Sequence, residues 1–197
     1  HLQAGATVVA YSGGKAICGP QCAGLLLGRK DILMSAWQAS SPHHGTGRDN
    51  KVGKEEMLGM LAAVEAWVKR DHEEKYRTWM GYLDTITKRV SAINGVKVTL
   101  REPTDLNNRS PWILISWDPA KFNITGPEIA EMLAQTKPRI AVHSGNNEQE
   151  KTTSLRVTSG QMQPGNDKIV ADRIFELLSK QYPKPKEMVP PAGDITG

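Results

Sequence analysis

Lys15 is the residue of this chain best suited to covalent chemistry. It follows Ser12-Gly13-Gly14, a turn that closes the short β-branched and apolar run Thr7-Val8-Val9-Ala10-Tyr11. A lysine set at the end of a strand by glycines has little bulk around it, so a large planar group can approach its amine. Lysine amines ordinarily titrate at about 10.4. Attack on a carbonyl at working pH therefore calls for desolvation or a neighbouring positive charge. Burial at the strand end would supply the first, and Arg29, Lys51 or Lys54 the second. On spacing alone, a solvated lysine after a strand is the commoner arrangement. A phosphate-binding P-loop is excluded, because Ser12-Gly13-Gly14-Lys15-Ala16 lacks both the upstream glycine at the required spacing and a Ser or Thr after the lysine.

A second group of candidates follows in Pro42-His43-His44-Gly45-Thr46-Gly47-Arg48 and Lys51-Val52-Gly53-Lys54. Arg48, Lys51 and Lys54 suit an anionic substrate; a solvated loop face is the plainer alternative. His43 or His44 suits proton shuttling. Adjacent histidines point in different directions, so at most one of them faces a site, and His44 is the better candidate.

The elements that must position these residues follow from hydrophobic period. Thr7–Tyr11 reads as a buried strand, and Ala23–Leu27, after the Gly19-Pro20 break, as its neighbour. A short helix is expected over Asp31–Gln38, then a polar, glycine-punctuated loop over Ser40–Asn50 of a length usual for functional or disordered segments. Met57, Leu58, Leu61, Val64, Trp67 and Val68, continued by Trp79, Leu83, Ile86 and Val90, predict one long helix, kinked or straight, that stops before Asn94-Gly95. Trp67 and Trp79 are expected in the core. Beyond it, Val96–Leu100 and Trp112–Trp117 read as strands, Gly126–Gln135 as a helix opened by Thr125 and Pro127, Arg139–His143 and Ser154–Val157 as strands, and Asn166–Gln181 as a helix. That order predicts an α+β layer with helices on one face of a sheet.

The chain has 197 residues, 39% hydrophobic and 23% charged, with a net charge of +4. That composition fits a globular protein. The charge is modest and its bases alternate with acids in Lys69–Lys75, so a nucleic-acid partner is not expected. The longest apolar run, Ala23–Gly28, is too short to cross a bilayer, and no membrane association is expected. Cys18 and Cys22 lack a second pair, which argues against a zinc site or a disulfide framework and for a reducing, cytoplasmic setting. The amino terminus carries no signal-peptide pattern and no initiator Met, and the proline-rich end after Tyr182 reads as a linker. The chain is thus expected to be a portion of a longer protein.

The run Tyr11-Ser12-Gly13-Gly14-Lys15-Ala16-Ile17-Cys18-Gly19-Pro20-Gln21-Cys22-Ala23-Gly24-Leu25-Leu26-Leu27-Gly28-Arg29-Lys30 resembles the Schiff-base segment of the family containing bacterial selenocysteine synthase (L-seryl-tRNA(Sec) selenium transferase) and D-glucosaminate-6-phosphate ammonia-lyase. The segments around Arg48 and Lys51–Glu56 resemble its lyase-like branch, and the rest of the chain its C-terminal domain more loosely. The resemblance implies an α/β protein of the fold-type I class dependent on pyridoxal 5'-phosphate. Residues 1–55 would end the large cofactor domain, 56–93 form a connecting helix, 94–182 a C-terminal α+β domain, and 183–197 a proline-rich tail.

It further implies that Lys15 forms the Schiff base and serves as general base for a substrate's α-proton, and a homodimer or larger homo-oligomer with sites at its interfaces. Ser12 would meet the cofactor phosphate, unless it caps its own turn. Gly19 and Gln21 would lie in a loop passing the cofactor, unless they only make a tight turn. Arg48, Lys51 and Lys54 would bind the anionic substrate or cofactor phosphate across the dimer. Arg139 is a candidate for a substrate carboxylate, or a strand-edge arginine paired on the surface. The expected activity is α-proton abstraction and β-elimination on a small amino acid or amino-sugar acid, releasing ammonia and a keto acid. The alternatives are selenium or sulfur transfer to seryl-tRNA and a non-catalytic assembly domain. The family's phosphate cradle and ring-binding residues precede its lysine, so this chain alone is expected to hold the cofactor poorly.

Overall fold

The computed structural model describes residues 1–104 and 109–183. The proline-rich run from 184 onward, expected as a linker, lies outside the described residues. The chain divides into two compact units, His1–His72 and a second beginning at Glu73. Both mix helix and strand, which meets the α/β expectation at that coarse level. Among the described residues no helix is long and apolar enough to cross a membrane.

In the first unit, β1 (Val8–Ser12) pairs antiparallel with β2 (Gly24–Gly28), Ser12 standing opposite Gly24. The strand expected to be buried is not: Val8 and Val9 are half-buried, and Ala10, Tyr11 and Ser12 are exposed. Among the described residues its ladder has β2 as its one neighbour, and α1 (Lys30–Ala39) packs on β2, not on β1. The segment from Ser40 to Asn50 is a bonded structure, since Ser40 bridges Gly47 and the Gly47 amide donates to the Ala39 carbonyl at 2.8 Å.

The single long helix expected after it is two, α2 (Lys54–Lys69) and α3 (His72–Val90), because Arg70 leaves the helical region with ψ 136. The Trp67 carbonyl closes the break, accepting the Arg70 amide at 3.2 Å and standing 3.0 Å from the His72 imidazole Nε2. Trp67 and Trp79 are half-buried and not in the core. Each ring faces a cation instead, the Arg70 guanidinium at 5.4 Å and the Lys75 ammonium at 5.0 Å.

The second unit is built on a four-stranded antiparallel sheet in the order β3-β4-β6-β5, from β3 (Lys97–Arg101), β4 (Trp112–Trp117), β5 (His143–Asn147) and β6 (Thr152–Thr158). Alternate residues Ile113, Ile115 and Trp117 pair with Val157, Leu155 and Thr153 on the buried face. Leu83, Ile86 and Val90 of α3, Ile129 and Leu133 of α5 (Gly126–Gln135), and Val170, Ile174, Leu177 and Leu178 of α6 (Asn166–Ser179) complete one core, as the one-face expectation required. A short α4 (Pro119–Phe122) lies between β4 and α5. The bounds of α5 match the sequence reading because Thr125 and Glu128 form a reciprocal capping box with Pro127 in the first turn.

The strand expected at Arg139–His143 lies later, as β5. Ile140 and Val142 pack against the core instead, and the Ile140 amide donates to the Leu133 carbonyl at 3.0 Å, closing α5. Their apolar spacing serves the end of a helix, not a ladder.

Candidate functional site

Lys15 stands at the apex of the turn joining β1 to β2. The turn is closed by four backbone bonds: the Gly13 amide to the Ala23 carbonyl at 2.9 Å, Gly19 to Gly13 at 2.8 Å, Cys18 to Lys15 at 2.9 Å, and Ala23 to Pro20 at 3.3 Å. Its glycines are packed against neighbours: a methyl group on Gly14 would lie 2.7 Å from the Gln21 Cα, and one on Gly19 3.0 Å from the Met60 sulfur. Cys18 adopts a left-handed φ of 63, a conformation that costs a residue with a side chain about 1–2 kcal/mol. Ile17 is buried and anchors the apex, while Lys15 and Ala16 are exposed. The burial expected of the lysine is therefore absent here, following from the exposed strand beneath it.

The turn brings Ser12, Lys15, Gly19 and Gln21 into one short hairpin. The platform beneath it is α2, with Met60 against Gly13 and Gly19, Ala63 against Gly19, and Pro20 against Gly59. Sequence reasoning missed this role of α2. It also missed Arg70, whose guanidinium donates to the Ala16 carbonyl at 3.3 Å from the far end of the same helix.

The remaining candidates divide. Arg48 is half-buried and turned into its own loop, one guanidinium nitrogen donating to the Ser41 hydroxyl at 3.1 Å and the Pro42 carbonyl at 2.8 Å. Lys51 and Lys54 are exposed. His43 is held, its Nδ1 3.1 Å from the Trp37 carbonyl and its ring edge-on to Trp37 at 4.4 Å, whereas His44 is exposed. Arg29 pairs with Asp31 at 2.5 Å, and that guanidinium holds the Asp31 carboxyl below its ordinary range. Arg139 is exposed and lies outside any strand. Cys18 and Cys22 are free thiols.

A cavity of about 490 Å³ opens between β2, the loop before α2, and α2 itself. Ala23, Gly24 and Leu25 form one wall, Ser41, Asn50 and Val52 a second, and Met57, Met60, Leu61 and Val64 the third. It begins two residues beyond Gln21 and includes the serine that Arg48 holds, so the hairpin and the cationic loop border one space. Lys15, His44, Lys51 and Lys54 are not in its lining.

These features have counterparts in known proteins. No protein-family model matches the chain. It is 29% identical over 183 residues to a 5'-C-glycyluridine monooxygenase-decarboxylase of Streptomyces sp, covering 90% of this chain and 42% of that protein. It is 32% identical over 111 residues to the D-glucosaminate-6-phosphate ammonia lyase of Salmonella typhimurium (strain 14028s / SGSC 2262), covering 56% of this chain and 27% of that protein. Both relatives are enzymes.

A solved structure of D-glucosaminate-6-phosphate ammonia-lyase matches with a TM-score of 0.61 and 22% identity, over 89% of this chain and 44% of that one. The chain therefore shares a fold with part of that lyase. The D-glucosaminate-6-phosphate ammonia-lyase side of the expected resemblance is met by these comparisons. The chain spans about two-fifths or less of the length of these curated relatives.

The hairpin fits an aldehyde-bearing planar cofactor in two respects. The Lys15 amine has no ion-pair or hydrogen-bond partner among the described residues, and the residues beside it, Gly14 and Ala16, are too small to obstruct a ring. The Ser12 hydroxyl is likewise exposed and not used to cap its turn. Among the described residues no cluster of His, Cys, Asp or Glu is arranged to hold a metal ion.

Proposed function

We propose that this chain carries the cofactor lysine of a pyridoxal 5'-phosphate enzyme, with Lys15 as the amine that condenses with the cofactor aldehyde. The observation that carries this reading is the similarity of the chain to D-glucosaminate-6-phosphate ammonia lyase, beside a lysine on a glycine-closed hairpin whose amine has no partner among the described residues. When bound, the cofactor withdraws electrons from the substrate's α-carbon. With the cofactor bound, Lys15 Nζ would be the group that takes the α-proton. Ser12 offers its hydroxyl to the cofactor phosphate, and Gly19 and Gln21 border its approach. His44, exposed beside the cationic loop, carries a proton to or from the departing group.

The substrate class is an amino acid built on a sugar skeleton. The names of both relatives join these two parts, as glucosaminate in one and as glycyl on uridine in the other, while the fates they name differ. We assign this chain the elimination branch, with Lys51 and Lys54 meeting an anionic substrate group and Arg48 shaping the loop that presents them. The protein acts as a homodimer or higher homo-oligomer. The test is spectroscopic. On titration with pyridoxal 5'-phosphate the protein should gain a visible absorption band that Lys15→Ala does not. An equal band in Lys15→Ala would refute the assignment.

A further inference from the structure

We propose that Arg70 is the positioning residue of the Lys15 hairpin: it holds the Ala16 carbonyl and thereby fixes the direction in which the lysine side chain leaves the turn. This rests on the reading of Lys15 as the cofactor amine. Arg70 is separated from Ala16 by 54 residues, so the bond between its guanidinium and that carbonyl, at 3.3 Å, is a tertiary contact. The hairpin's other closing bonds are made by its own backbone.

The guanidinium is placed before it meets the loop. Arg70 ends α2, with its amide on the Trp67 carbonyl at 3.2 Å and its charge 5.4 Å from the Trp67 ring centroid. That indole is in turn packed on His72, ring centroids 4.4 Å apart. An arginine so braced loses less side-chain freedom on bonding than a free one.

The loop needs an outside hold. Cys18 sits at a left-handed φ of 63 two residues after Ala16, and the Cys18 thiol, 3.5 Å from the same carbonyl, is a weak donor. Met60 and Ala63 support the Gly13 and Gly19 side of the turn, leaving the Lys15–Ala16 side to Arg70. Together they make α2 a platform touching the hairpin near its middle and at its end.

The experiment compares wild type with Arg70→Met, which keeps an apolar stem over Trp67 but donates nothing, and Arg70→Lys, which keeps a charged donor. Each is treated with pyridoxal 5'-phosphate, reduced with borohydride, and mapped for modified lysines. The amides of Cys18 and Gly19 are followed in parallel by hydrogen exchange.

The expected result is labelling of Lys15 reduced about fivefold in Arg70→Met relative to Lys30, Lys51 and Lys54 of the same molecule, with faster exchange at both amides and recovery in Arg70→Lys. General loosening of the unit would move all four lysines together, so the selectivity separates positioning from stability. Unchanged Lys15 labelling in Arg70→Met, with wild type labelled at Lys15, overturns the role of Arg70 and leaves the cofactor reading standing. Absence of Lys15 labelling in wild type overturns the cofactor reading and with it this inference.

Discussion

A methyl group on Gly13 would lie 2.6 Å from the Ala23 carbonyl oxygen and 2.8 Å from both the Pro20 carbonyl oxygen and the Met60 sulfur. The thioether can swing aside, but the two oxygens belong to backbone. The Ala23 oxygen is also the acceptor of the Gly13 amide at 2.9 Å, so relief of the clash must part that bond. Overpacking of this kind costs about 1–3 kcal/mol, and a lost hydrogen bond about 0.5–1.5 kcal/mol. Gly13→Ala should therefore favour the open hairpin by about 2 kcal/mol or more, roughly thirtyfold in the opening equilibrium. Hydrogen exchange at Gly19, whose amide donates to the Gly13 carbonyl, reads this directly. Gly145→Ala is the control, since nothing lies within 4 Å of a methyl group there. Exchange at Gly19 changed by less than about threefold in Gly13→Ala would refute the picture of a closed, glycine-dependent turn.

Other expectations concern the second unit. Trp117 is buried and its indole donates to the Ile124 carbonyl at 2.9 Å, so Trp117→Phe, which leaves that carbonyl unpaired and a small void, should lower unfolding stability by about 2–4 kcal/mol in urea titrations. Thr125→Ala should cost about 1 kcal/mol by the same assay through loss of the α5 cap. The Thr125 hydroxyl, and then its amide, hold the Glu128 carboxyl below its ordinary value of 4.5. A carboxylate whose folded-state pKa is depressed stabilises the fold above the unfolded value and ceases to as pH falls through the folded one. The stability gap between wild type and Glu128→Gln should accordingly be present at neutral pH and close in acid; a gap that widens in acid would contradict the capping geometry.

What the sequence made legible depended on whether the signal was local. The strand, glycine turn and second strand around Lys15 were readable because a β-branched run and a Gly-Gly pair are local marks of a hairpin, and Thr125, Pro127 and Glu128 together mark the start of α5 for the same reason. The break between α2 and α3 was not. The apolar period runs on from Val64 and Trp67 to Leu83 and Ile86, and only Arg70's extended backbone interrupts it. Strand β5, His143-Ser144-Gly145-Asn146-Asn147, has no apolar alternation to announce it and exists through its ladder with β6. The placement of the candidate residues was legible in the same proportion. Ser12, Lys15, Gly19 and Gln21 share one hairpin, a closeness that follows from the chain alone. Arg70 reaches Ala16 from 54 residues away, and Met60 underlies Gly13 by a tertiary contact, so neither left a mark in the spacing. The charge of Arg48 suggests a ligand contact, whereas its bonds to Ser41 and Pro42 give it a part in folding its loop.

The role assigned to Lys15 stands or falls on where an aldehyde cofactor attaches. Reduction of the wild-type protein with borohydride after exposure to limiting pyridoxal 5'-phosphate, followed by peptide mapping, should put the label on Lys15 ahead of every other lysine. Label spread evenly over the exposed lysines, with Lys15 no more reactive than Lys30 or Lys51, would contradict it.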